Sequence, residues 1–67
     1  MNKNMLVGVM KTNGDTQATL SRAIGLSAQR LNAKINATKA DFTAREIREI
    51  KARYNLSSED IDLIFFT

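Results

Sequence analysis

Residues 16–36, TQATLSRAIGLSAQRLNAKIN, decide the fold. The run reads as two short helices that meet at Gly25. Thr16 can accept from a backbone N–H and so cap the first helix. Leu20 and Ile24 lie one turn apart and face a core. Ala18 and Ala23 are small enough for a close helix approach, and Arg22 points outward. The chain must turn at Gly25, where the missing Cβ removes the penalty for left-handed φ. Leu26 then plugs the turn from below and Ser27 caps the second helix, predicted over residues 28–35. Its buried stripe is Leu31 and Ile35 alone. Ala28, Gln29, Asn32, Ala33 and Asn36 fall on the opposite side, flanked by Arg30 and Lys34. So thin an apolar stripe leaves a broad polar face for solvent or a ligand.

Upstream, Leu6, Val9 and Met10 share one face and predict a helix over residues 4–13. Gly8 inside it costs about 1 kcal/mol against alanine, and would let a neighbouring helix come close. Asn13-Gly14-Asp15 is a turn signal, with Gly14 suited to a positive φ at a helix end. Downstream, residues 36–41, NATKAD, read as a loop. Thr43 and Glu46 have capping-box spacing, and Phe42 and Ile47 the spacing of a hydrophobic staple. Ile47, Ile50 and Tyr54 trace one face of the helix that follows. Arg45–Glu49 and Glu49–Arg53 are i, i+4 pairs on the other face. Asn55 suits a left-handed helix end. Ser57 with Asp60 and Leu56 with Ile61 repeat the same start device, and Ile61, Ile64 and Phe65 give the last helix its apolar face. No stretch alternates as a strand would, and there is no proline. The expected fold is all-α, about five short helices around one core, in a single domain spanning residues 1–67.

Composition narrows the chemistry. A 67-residue chain buries only roughly 60% of its unfolded surface, so a partner subunit would help its stability. With 43% hydrophobic residues it can still form a small core. Cysteine and histidine are both missing. That removes disulfides, thiolate metal sites, the commonest general base and the commonest metal ligand. No paired carboxylates, nucleophile–base pair or phosphate-binding glycine loop is readable, so neither an enzyme nor a cofactor is expected. Asp60 and Asp62 are close in sequence but sit in a capping region. No apolar run is long enough to span a bilayer, and MNKNMLVGVM is too short and too interrupted for a secretory signal. A soluble cytoplasmic protein without a membrane partner is expected.

Net charge is +3 and the pI is near 9.7. The charge is uneven. Residues 1–37 hold five basic side chains against Asp15 alone, whereas residues 38–67 hold five against six acidic ones. The basic excess shares a half with the two-helix stretch, as a nucleic-acid-facing surface requires. Lys3 and Lys11 read as solvated. Arg45, Arg48, Lys51 and Arg53 are interleaved with acids and read as a solvated helix face. Phe42 and Tyr54 read as core.

The run Gln17-x-x-Leu20-Ser21-x-x-Ile24-Gly25-Leu26-Ser27-x-x-x-Leu31-x-x-x-Ile35-Asn36 resembles the helix-turn-helix of the Cro and repressor family of phage regulators. Leu31-Asn32-Ala33-Lys34-Ile35-Asn36 and the ending Ile64-Phe65-Phe66 also resemble small prophage regulators of Gram-positive hosts. Two positions depart from the pattern: Ala37 stands where the family usually has glycine, and Asn32 where serine is common. The resemblance implies a lambda-repressor-like DNA-binding domain. It also implies a transcriptional regulator, in the bacterial cytoplasm at the nucleoid, whose partner is double-stranded operator DNA.

Helical spacing and this analogy together suggest a division of labour. The first helix of the pair crosses the phosphate backbone and the second enters the major groove. Gln17 is placed to donate to a phosphate. Gln29 is placed for base edges, where a glutamine can bind adenine bidentately, and Ala28 for a thymine methyl. Asn32, Ala33 and Asn36 lie further along the same face. Arg30, Lys34 and Lys39 are placed for phosphates, with Arg30 also within reach of a guanine. Ile64, Phe65 and Phe66 are consecutive and cannot all face one core, so Phe65 or Phe66 is expected to make a homodimer contact. A dimer would set two reading helices about 34 Å apart. The alternative is a modulator that keeps the fold but docks on a partner phage repressor. An acidic reading face would favour it, and this face is basic.

Overall fold

The computed structural model describes residues 1–37 and 42–66. They form five helices and no strand: α1 (Lys3–Thr12), α2 (Gln17–Ala23), α3 (Ala28–Asn36), α4 (Ala44–Tyr54) and α5 (Ser58–Phe65). None of them is long and apolar enough to cross a membrane.

Every helix starts on a side-chain cap. Asn2 accepts from the Met5 N–H, Thr16 from Thr19, Ser27 from Arg30, Thr43 from Glu46 and Ser57 from Asp60. Three of these caps are reciprocal boxes, at Thr16, Thr43 and Ser57. In the first the returning side chain is Thr19, a hydroxyl in the position usually held by an acid or amide. Each cap satisfies a backbone donor that the helix cannot, and is worth about 1 kcal/mol.

Three helices end alike. The N–H groups of Asp15, Leu26 and Leu56 reach back to the carbonyls of Met10, Ser21 and Lys51, at 2.8, 2.8 and 2.9 Å. The residue before each one has left-handed φ: Gly14 at 73°, Gly25 at 75° and Asn55 at 52°. This is the Schellman arrangement, and it turns the chain sharply while using up orphan carbonyls.

One core joins all five helices: Leu6 and Met10 of α1, Leu20 and Ile24 from α2 and its end, Leu31 and Ile35 of α3, Ile50 and Tyr54 of α4, and Ile61, Ile64 and Phe65 of α5. Phe42 packs its ring edge-on to Phe65, with centroids 5.3 Å apart. The N–H of Asn2 donates to the Ile64 carbonyl at 2.6 Å, so α1 and α5 lie together.

Four expectations change. The buried seam of α4 is Glu46, Ile50 and Tyr54, with Ile47 only half-buried beside it. Gly8 admits no neighbour: a Cβ placed there would meet nothing within 4 Å. Ala18 and Ala23 are exposed rather than buried between helices. Arg53 leaves its i, i+4 partner and pairs across the fold with Asp15, whereas Arg45–Glu49 forms as expected at 3.0 Å.

Candidate nucleic-acid interface

The site is the outer surface of α2, the Gly25 turn and α3. Leu31 and Ile35 are fully buried and pin α3 down by one side. Ser21 is buried on α2 and satisfies its hydroxyl locally, donating to the Ala18 carbonyl at 2.8 Å. The Arg45 guanidinium reaches the Ile24 carbonyl at 3.4 Å and ties the end of α2 to α4.

With its apolar side pinned, α3 turns most of its other residues outward. Ala28, Gln29, Arg30, Asn32, Ala33 and Asn36 are all exposed, and Gln17 is half-buried at the start of α2. Neither α2 nor α3 has an acid in its first turn. Among the described residues, the side chains of Gln29 and Arg30 make no hydrogen bond or ion pair.

Asn32 and Asn36 do have partners. Lys3 donates to Asn36 Oδ1 at 2.5 Å, and Asn36 donates to Asn32 Oδ1 at 2.7 Å. Asn32 in turn donates to Gln17 Oε1 at 3.0 Å. Lys3 is therefore part of this surface, which its sequence neighbourhood does not suggest.

Lys34 departs from the expected phosphate-facing set. Its Nζ lies 2.9 Å from Glu46 Oε1, and the two side chains are only 11% and 4% exposed. The same ammonium stands 5.7 Å from the centre of the Phe42 ring. Glu46 Oε1 also accepts from the Thr43 N–H at 2.9 Å. Burial pushes the Glu46 carboxyl up. The Thr43 backbone N–H and then Lys34 push it down, and they prevail, so it lies below the usual glutamate value. Lys34 thus fastens α3 to the capping box of α4.

A second cluster holds the start of α2. Asp15 takes Arg53 on both carboxylate oxygens, at 2.7 and 2.8 Å, the Tyr54 hydroxyl at 2.6 Å and the Thr19 hydroxyl at 2.8 Å. The Arg53 guanidinium and then the Tyr54 hydroxyl hold the Asp15 carboxyl far below the ordinary aspartate value. Burial and the hydrogen bond to Asp15 raise the Tyr54 phenol well above its ordinary value. Arg53 is therefore a structural clamp between the α1–α2 turn and α4.

Phe65 is 3% exposed and belongs to the core, so it cannot be a contact between subunits. Phe66, next in the chain, is 67% exposed, and Leu63 is 49% exposed on α5. Lys39 lies outside the described residues.

Family models, curated proteins and solved structures were compared with this chain, and none matches it.

Proposed function

We propose that the chain is a sequence-specific DNA-binding regulator of the Cro and repressor type, reading the major groove with α3. The observation that carries this reading is the first turn of α3. Ala28, Gln29 and Arg30 stand exposed there, the two polar side chains have no partner among the described residues, and the helix is anchored from behind by Leu31 and Ile35. A free glutamine amide beside a guanidinium can read adenine and guanine edges. No acid occurs anywhere on α3, so nothing on the helix repels phosphate. Two copies would join through the apolar outer end of α5 at Phe66. Repression would follow from occupying an operator, with control by concentration and competition.

Selection of bound sequences from random duplex DNA tests the reading. A preferred sequence should emerge, and its affinity should fall steeply with salt as counterions are released. Gln29→Ala should then cost about 1–3 kcal/mol at one base pair and little elsewhere. Equal weakening on every sequence would make Gln29 a phosphate contact. Failure to enrich any sequence would remove the function.

A further inference from the structure

The amides of Asn32 and Asn36 are engaged within the protein, and the direction of their bonds is set at one end. Lys3 Nζ can only donate, so Asn36 must offer it Oδ1. Asn36 Nδ2 is then turned to Asn32 Oδ1 and to the Asn32 backbone carbonyl, at 2.7 and 2.9 Å. Asn32 Nδ2 is turned to Gln17 Oε1 at 3.0 Å. Reversing any one amide would set donor against donor or oxygen against oxygen. The ladder therefore ends with the Oε1 of Gln17 occupied and its Nε2 donors left over. A lysine 33 residues away from Asn36 in sequence decides that outcome. Such chains also polarise their members, which strengthens the terminal donor.

The ladder also removes two residues from base reading. Bidentate recognition of adenine needs the oxygen and the nitrogen of one amide on one base. Asn32 has turned its oxygen to the next turn of α3 and its nitrogen to α2.

We propose that Lys3, Asn36 and Asn32 are positioning residues that present the Gln17 Nε2 donors to a DNA phosphate oxygen. Base readout then falls to the first turn of α3, at Ala28, Gln29 and Arg30. The inference rests on the DNA-binding reading above and assigns the roles within it.

A double-mutant cycle on the selected duplex tests it. Fluorescence anisotropy is read at about 0.3 M salt, where long-range charge is screened, for wild type, Lys3→Met, Gln17→Ala and the double variant. Lys3→Arg and Asn32→Ala complete the set. Lys3 and Asn32 are exposed and Gln17 is half-buried, and thermal midpoints close to wild type confirm intact folding. Lys3→Met and Gln17→Ala should each weaken binding about fivefold, the worth of one hydrogen bond. The double variant should be no weaker than Gln17→Ala alone, because Lys3 acts through Gln17. Lys3→Arg should restore affinity, and Asn32→Ala should weaken every duplex alike with base preference unchanged.

Losses that multiply in the double variant would put Lys3 on the DNA itself and overturn the ladder's role. A changed preference at one base pair in Asn32→Ala would make Asn32 a base reader and overturn it equally. A wild type that binds no duplex would remove the underlying function and the ladder's role together, a result distinct from the other two.

Discussion

Replacing Lys34 by methionine separates a fold-holding lysine from a DNA-holding one. The change keeps most of the apolar stem beside Phe42 and removes the ammonium. At 2.9 Å and an effective dielectric of about 20, the Lys34–Glu46 attraction is about 6 kcal/mol. Desolvation of two side chains that are 11% and 4% exposed consumes most of that gain. What the variant loses is a charge-assisted hydrogen bond, while a buried carboxylate stays behind with the Thr43 N–H still on it. The net cost should be about 2 kcal/mol, which in a domain of this size lowers Tm by roughly 10 °C. Urea and thermal melts followed by circular dichroism at neutral pH measure it. The double variant Lys34→Met with Glu46→Gln should regain part of the loss, because glutamine can close the capping box without a charge.

The pH dependence has a definite sign. The Glu46 carboxyl is depressed in the fold. Its contribution is therefore complete above the unfolded value of about 4.3 and is lost as pH falls through the native value. In Lys34→Met the cation is gone and burial weighs more heavily, so the stability gap between variant and wild type should narrow on acidification. A variant as stable as wild type, with a salt slope of DNA binding shallower by about 0.9, would place Lys34 on a phosphate and refute this account.

Three further outcomes follow from the geometry. Gly8→Ala should stabilise the protein by about 1 kcal/mol, since a Cβ there meets nothing within 4 Å and φ is not left-handed; a lower Tm would mean that an unrecognised neighbour needs the gap. Asp15→Asn should flatten the acid limb of the stability curve, because a strongly depressed carboxyl gives its full support above the unfolded value of about 3.9 and loses it progressively as pH falls from there through the native value; an unchanged limb would show that the clamp does not couple to folding. Phe66→Asp should leave the fold intact and lower the sedimenting mass at concentrations where wild type self-associates; identical monomer masses for both across the micromolar range would dispose of the α5 contact.

The legible parts of the chain were those written within four residues. Thr43 with Glu46, Ser57 with Asp60, and the left-handed residues Gly14, Gly25 and Asn55 each report local backbone geometry, and all occur as read. The i, i+4 spacing of Leu20 with Ile24 and Leu31 with Ile35 located the core. Illegible were the polar pairs that exist only once helices pack. Asp15 meets Arg53 across 38 residues and Lys3 meets Asn36 across 33. Glu46 carried a visible signal, its capping-box spacing, but not the fact that α4 turns it inward beneath Lys34. The consecutive Ile64, Phe65 and Phe66 show in sequence that they cannot share one face, but only the packed helix shows that Phe65 turns inward and Phe66 outward.

The bond from Asn2 to Ile64, together with that from Lys3 to Asn36, places the first residues against the last turn of α3 as well as against α5. A purification tag fused ahead of Met1 would therefore emerge beside the surface whose affinity is to be measured. A histidine-rich leader there would add its own titrating charge to every anisotropy curve. Label and tag alike need traceless removal, or attachment at an exposed position on α4 such as Arg48.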